Sequence, residues 1–215
     1  MAGLESETSS GFPSKGRIET LTDGIFGIAM TILVLDIRVP MLSKGISTLD
    51  LQHRVLAIWP KFLVYVLSFV ILAIFWVSHS IQFRYVRRAN RNLFWINILM
   101  LMLVAFTPFS THLLSEHIEQ QFAVVFYGTH LMLIWLCLFL HWYYVTKGAR
   151  LVDNDINPVV VSAVKRRTLL VSITYFIAIS GSYFSTNMSI ILYSMIIVVS
   201  ILPGRIDRCW DSVNQ

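Results

Sequence analysis

Long apolar runs separated by short polar connections dominate the chain. A membrane-spanning helix needs about 20 predominantly apolar residues to cross roughly 30 Å of hydrocarbon. Six runs approach that length, at residues 18–39, 55–79, 93–114, 122–145, 168–184 and 189–202. The last two are shorter, and Gly181, Ser182 and Asn187 favour a helical hairpin there over one long tilted span. The pattern therefore predicts an all-α integral membrane protein with six transmembrane helices.

The stretches outside these runs are short. Residues 1–15 are rich in Ser and Gly and lack the apolar segment of a signal peptide, so we expect a disordered tail. Residues 16–204 then form the transmembrane domain, and 205–215 a second short tail. The longest connection, 147–167, is expected to form a short amphipathic turn near Pro158.

Composition narrows the function classes. Hydrophobic residues make up 56% of the chain and charged residues 13%, about half the roughly 25% charge of a soluble domain. The net charge of +5 does not indicate nucleic-acid binding, because the basic residues flank apolar runs and form no polar face. No hydrolase, metalloprotease or phosphate-loop motif occurs, so no enzyme is predicted. Two histidines and two glutamates around residues 112–119 are interpreted as solvated loop residues, and no tightly bound metal is expected.

Basic residues in the connections predict the orientation in the membrane. Lys and Arg concentrate after the second and fourth runs, and two more arginines follow the sixth. The connection after the third run has Glu116 and Glu119 and no basic residue. Since short cytoplasmic connections carry the excess of Lys and Arg, both termini are expected in the cytoplasm. Lys44 and Arg54 in the first connection fit this orientation less well.

The first run contains an acid at membrane depth. Its uninterrupted apolar part, residues 24–35, covers only roughly 18 Å at 1.5 Å per residue. Crossing the bilayer therefore draws in Asp23, and such an acid costs at least about 2.5 kcal/mol unless it is paired or hydrated. A functional or structural partner is therefore expected for Asp23.

Helical periodicity divides this run into two sides. At 100° per residue, one stripe contains Leu21, Gly24, Ile28, Thr31, Ile32 and Leu35, whereas Asp23, Phe26 and Met30 lie away from it. Either the stripe faces lipid and Asp23 faces protein, or the stripe lines a path and Asp23 ties the helix to its own subunit. Periodicity alone leaves both open.

A motif at the start of this run favours the second reading. It resembles the Arg-x-x-x-Phe-Ser-Asp signature of the transmembrane protein 175 family, potassium channels of endolysosomes with prokaryotic relatives in the cell membrane. Here Leu21 replaces the signature Phe, and Thr22 replaces the Ser. Arg17 and Asp23 match the signature, and the further matches are Phe75, Trp76 and His79, Trp95 and Asn97, and Thr107-Pro108-Phe109.

The resemblance implies a homotetramer whose four first helices surround a pore for K⁺, without the re-entrant loop of ordinary potassium channels. The chain likewise has no Thr-Val-Gly-Tyr-Gly run. The family's aliphatic constriction corresponds to Ile28 and its threonine ring to Thr31, and the same stripe continues through Ile32 and Leu35. Partners are then other copies of the chain, the lipid of a cell membrane and monovalent cations, with no cofactor.

The resemblance also implies a buried polar brace that holds the pore helix. Its members would be Arg17, Thr22, Asp23, Trp76, His79, Trp95 and Asn97. A satisfied interfacial histidine is an equal alternative for His79.

Two other classes stay open. A proton- or ion-coupled transporter would use Asp23 as a titrating carrier. A b-type haem protein would use two histidines, and His130 and His141 lie on one face of the fourth run with His79 able to oppose one of them.

Overall fold

The computed structural model of the chain describes residues 13–38, 47–153 and 156–201, and these ranges are all-helical. Short 3₁₀ turns occupy Leu33–Asp36 and Lys147–Ala149. The α-helices of the described residues are α1 (Lys15–Ile32), α2 (Thr48–Leu56), α3 (Trp59–Tyr85), α4 (Arg91–Glu116), α5 (Gln121–Thr146), α6 (Pro158–Gly181) and α7 (Thr186–Ile201). The all-α prediction is confirmed. The predicted tails lie outside the described residues, apart from 13–15, where Lys15 already opens α1.

Four helical segments are long and apolar enough to cross a membrane. They are Lys15–Asp36, Trp59–Tyr85, Arg91–Glu116 and Gln121–Thr146. In α6 the basic residues 165–167 interrupt the apolar pattern, and α7 is a shorter apolar helix. The break between α6 and α7 falls at residues 182–185, so the predicted hairpin, and not one long span, is confirmed.

Two predicted boundaries are wrong, both at prolines. Val55 belongs to the separate helix α2, whose N-cap Ser47 accepts a hydrogen bond from the Asp50 amide at 3.1 Å. The next helix begins afresh at Trp59, with Pro60 in its first turn. Pro158 likewise opens α6 where an amphipathic turn was expected, with Asn157 capping the Val159 amide at 2.9 Å. Proline suits a first helical turn because its missing N–H has no partner there in any case.

Contacts between connections define the two ends of the bundle. At one end, the Arg87 amide donates to the Leu151 carbonyl at 2.8 Å, and the Arg87 side chain pairs with Asp153 at 2.6 Å. Arg167, in the third turn of α6, donates to the Ser200 carbonyl near the end of α7 at 2.6 Å. The basic connections and the end of α7 therefore lie at one end of the bundle, which we call the basic end.

The opposite end joins the end of α1 to α3 and α4. Asp36 pairs with His112 and accepts a hydrogen bond from Ser115 at 2.8 Å. Lys61 at the start of α3 pairs with Glu116 at the end of α4. Because α1 ends here, it begins at the basic end, and both ends of the described chain lie on that side.

Candidate functional site

Helix α1 has two different faces, and its packing explains why. It lies against α3 and α4, where a row at helical spacing is buried. That row is Ile18, Thr22, Phe26, Ala29 and Leu33. Ile25 and Met30 flank this row and are partly buried, whereas most of the remaining circumference is exposed in the described part of the subunit.

The predicted stripe lies on this uncovered side. The exposed fraction of the side chain is 60% for Ile28 and 68% for Leu35. Leu21, Gly24, Thr31 and Ile32 are exposed as well. We call these six residues the α1 stripe. A single chain therefore leaves a helix-long apolar surface without a protein partner among the described residues.

Thr31 is the one residue of the α1 stripe with a polar side chain, and its hydroxyl already forms hydrogen bonds within its own helix. Thr31 Oγ1 donates to the carbonyls of Ile28 and Gly27, at 2.9 and 3.0 Å. The hydroxyl proton therefore points back to the helix. The oxygen lone pairs are left to the exposed side, where they can accept from water or contact a cation.

Three of the predicted brace residues form one buried hydrogen-bond chain between α1, α3 and α4. Asn97 Nδ2 donates to Thr22 Oγ1 at 3.0 Å, and Thr22 in turn donates to the Ile18 carbonyl at 2.8 Å. His79 Nε2 lies 2.9 Å from Asn97 Oδ1. Because an amide oxygen only accepts, His79 is the donor. The chain satisfies each of these buried groups and connects α1 to both of its neighbours.

Asp23 and Trp76 form a second contact at the side of α1. Trp76 Nε1 donates to Asp23 Oδ1 at 2.7 Å. Both side chains are exposed in the single chain. Within the described subunit the acid therefore lies at the edge of the α1 contact with α3 and not beneath it, and its expected indole partner is Trp76.

The last two predicted brace residues are not brought into either contact. Arg17 is exposed, and the described residues give it no hydrogen bond or ion pair. Trp95 is exposed too, and its ring packs edge-on against Phe94 with centroids 5.6 Å apart. Neither reaches the Thr22–Asn97–His79 chain within the subunit.

Sequence reasoning missed the aromatic and polar extension of this chain. Phe83 stacks on the rings of His79 and His141, with centroids 4.4 and 5.0 Å away. His141 Nδ1 donates to Gln82 Oε1 at 2.7 Å. The signal was present, since residues 79, 82 and 83 are spaced i, i+3, i+4 on α3 and share one face.

The histidine geometry gives no support to a haem site. The His79 and His141 rings are only 5.6 Å apart, and Phe83 packs against both. His130 is bonded elsewhere, through Nε2 to the Leu103 carbonyl and Nδ1 to Ser110, both at 2.9 Å. That carbonyl lies five residues before Pro108, which removes one hydrogen bond from the interior of α4. Among the described residues, no group of three or more His, Cys, Asp or Glu is placed to hold a metal ion.

Comparison with known proteins identifies the family. Residues 17–108 match the family described as endosomal/lysosomal potassium channel TMEM175. A potassium channel of Streptomyces collinus is 31% identical over 185 residues, covering 84% of this chain and 88% of that protein. The chain belongs to the TMEM175 family. TMEM175 proteins are ion channels of membranes, so this chain is a membrane protein of a channel family and not an enzyme.

Further TMEM175 relatives agree in sequence and in structure. A potassium channel of Chamaesiphon minutus is 33% identical over 178 residues, covering 81% of this chain and 87% of that protein. The crystal structure of a lysosomal potassium-selective TMEM175 homolog from the same organism superposes with a TM-score of 0.78 at 30% identity. It covers 87% of this chain and 96% of that one. The resemblance on which the sequence interpretation rested is therefore confirmed.

Proposed function

We propose that the chain is one subunit of a potassium channel in which four copies place the α1 stripe around a central pore. The uncovered stripe is the observation that carries the proposal. α1 is tied to α3 and α4 on one side, and its other side is apolar and exposed along the whole helix. K⁺ is proposed as the conducted ion because the relatives of this chain are named potassium channels.

The proposed arrangement has six spans per subunit, with α6 and α7 as the fifth and sixth, in a cell membrane. Both ends of the described chain lie at the basic end, and the positive-inside rule makes that end cytoplasmic. Residues 16–204 are then the channel domain, between cytoplasmic tails at 1–15 and 205–215.

Ile28 would form the constriction. Four branched side chains meeting on an axis leave no room for a hydrated ion, and an aliphatic ring offers no oxygen ligands, so it narrows and dewets the path. Thr31 lies one turn further along the same stripe, followed by Ile32 and Leu35. The lone pairs of the Thr31 hydroxyl that face away from the helix are the oxygen contacts that the stripe side chains offer to a partly dehydrated K⁺.

The polar chain Thr22–Asn97–His79 and the Asp23–Trp76 contact would hold α1 at a set rotation about its axis. That rotation decides which residues face the pore. Arg17 and Trp95, exposed in one subunit, would complete the brace against a neighbouring copy.

A coupled transporter that titrates Asp23 is the competing function. Asp23 lies beside the stripe and accepts a hydrogen bond from the Trp76 indole, which favours a position off the proposed path. K⁺ flux in liposomes separates the two functions. A channel passes K⁺ down its gradient alone, whereas a transporter needs a proton or counter-ion gradient.

The decisive experiment is a reversal potential in bilayers under a K⁺/Na⁺ gradient. Ile28→Asn should wet the constriction, raise the conductance and erode the preference for K⁺. Ile191→Asn is the matched control, because Ile191 on α7 is 61% exposed against 60% for Ile28. Equal, unchanged currents in both variants would indicate that the α1 stripe faces lipid and does not line a pore. Native mass that shows only monomer or dimer would contradict the tetramer.

A further inference from the structure

Two lysines from different helices share one tyrosine ring at the basic end. Tyr143 lies in the last turn of α5. The Nζ atom of Lys147 lies 5.3 Å from the Tyr143 ring centroid, and that of Lys165 on α6 lies 5.7 Å from it. Both distances are within the range of a cation–π contact. The ring therefore gathers two positive charges at the junction of α5 and α6.

No described carboxylate neutralises this pair. The ion pairs of the described residues include neither lysine, and Asp153, the described acid of the neighbouring connection, pairs with Arg87 at 2.6 Å. Both lysines and Tyr143 are exposed. Both ammonium groups lie within 5.7 Å of the same ring centroid and repel each other, so an anion that contacts both is favoured there.

The surface next to the lysines suits a hydrocarbon chain. Phe139 stacks nearly parallel to Tyr143, with centroids 6.3 Å apart and 13° between the planes. Leu140 and Leu136 are exposed one and two turns further into the candidate span. Tyrosine at this depth is typical of the boundary between headgroups and hydrocarbon. The cationic pair and an apolar stripe are thus continuous along α5.

We propose that Tyr143, Lys147 and Lys165 form a binding site for the phosphate of an anionic phospholipid. The two ammonium groups would contact one phosphate, and the acyl chains would lie along Phe139, Leu140 and Leu136. Free phosphate would use only the lysines, so the apolar stripe argues for the lipid. The proposal rests on the chain spanning a membrane and not on the ion it conducts.

The test measures lipid retention by the purified protein. The protein is reconstituted in bilayers of phosphatidylglycerol and phosphatidylcholine in equal parts, extracted in mild detergent and examined by native mass spectrometry. We expect retained phosphatidylglycerol in excess over phosphatidylcholine. Replacing one lysine by Gln should lower this retention roughly fivefold, and Lys147→Gln with Lys165→Gln about 25-fold.

Matched variants separate the site from general surface charge. Lys15→Gln removes a lysine at the same end of the bundle that is already paired with Glu19 at 3.8 Å, and it should retain lipid like the unaltered protein. Tyr143→Phe keeps the ring and should also retain lipid, whereas Tyr143→Leu releases the lysines and should lower retention.

Three results would overturn the proposal. One is equal loss in Lys15→Gln and in the double variant, which would indicate nonspecific charge. A second is displacement of the lipid by an equal concentration of inorganic phosphate, which would mean that the acyl chains add nothing to binding and that the site is a phosphate site. The third is a double variant that loses the oligomer at unchanged lipid retention, which would indicate a subunit contact. None of these depends on K⁺ currents, so the proposed channel function is tested separately.

Discussion

Helices α1 and α5 are both long and apolar, yet they differ in how much of their surface is buried within the subunit. In the most apolar window of α5, 56% of the residues are buried within the chain, against 28% in α1. α5 packs against α4 and α6 and also touches α3 and α7, whereas α1 packs against α3 and α4 on one side. Helix α5 therefore lies at the centre of the subunit, and α1 lies at its edge.

This difference in burial indicates which property of the protein a substitution on each helix should change. Side chains on α5, such as Tyr127 and Trp142, have no solvent exposure, so substitutions there should act on the folding of a single subunit. Residues of the α1 stripe are exposed and contact little of the described chain outside their own helix, so substitutions there should act mainly on assembly and conduction. The predictions below test this division, from the largest expected effect to the smallest.

The largest effect is expected for Gly128→Ala on α5. An added Cβ would lie 2.0 Å from the hydroxyl oxygen of Tyr193, which is buried and donates to the Val124 carbonyl at 3.1 Å. Overpacking and loss of that hydrogen bond should together cost about 3 kcal/mol of subunit stability. Thermal unfolding in detergent measures it.

Gly24→Ala on α1 is the control. A Cβ there meets nothing within 4 Å, so subunit stability should stay equal or rise by about 0.5–1 kcal/mol. Equal losses in the two variants would show that α1 and α5 do not differ in this way.

Asn97→Leu should have the next largest effect. It leaves Thr22 and His79 without their partner between α1 and its neighbours, which should cost about 1–3 kcal/mol. Thr22→Val should cost less, and the double variant should cost less than the two single losses added, because both changes break one hydrogen-bond chain. Additive losses in thermal unfolding would mean that the chain does not act as a unit.

Asp23→Asn should lower subunit stability by about 1 kcal/mol or less, because the amide oxygen can still accept from the Trp76 indole and both groups are exposed. Its main effect should be weaker formation of the proposed tetramer, measured by native mass at a series of protein concentrations. A variant that assembles normally and instead loses its K⁺ preference would place Asp23 in the pore.

Thr31→Val is expected to have the smallest effect. Its hydroxyl bonds only to its own helix, so subunit stability should hardly change. If Thr31 oxygens contact the ion, the K⁺/Na⁺ permeability ratio should fall about two- to fivefold, equivalent to about 0.5–1 kcal/mol. Thr174→Val on α6 removes a similar self-bonded hydroxyl, at 2.9 Å to the Leu170 carbonyl, and should leave the ratio unchanged. Equal falls in both variants would exclude an oxygen contact at Thr31.

Much of the candidate site could be predicted from the sequence because helical periodicity is a local property. The 100° rotation per residue separates Ile28 and Leu35 from Phe26 whatever surrounds the helix, and the structure leaves the first two exposed and buries the third. The contact partners could not be predicted in this way. Only the packing of α1 against α4 brings Asn97 to Thr22, across 75 residues of sequence.

The sequence by itself determined the helical character, the break before α7 and the amphipathic division of α1, since length, periodicity and turn residues act over a few positions. The tertiary structure alone decided that Asp23 is exposed beside Trp76, that Arg17 and Trp95 reach no brace partner within the subunit, and that Lys147 and Lys165 meet over Tyr143. Those outcomes depend on how neighbouring helices are rotated and offset against one another. Rotation and offset are set by side-chain packing over the whole bundle, which no local pattern contains.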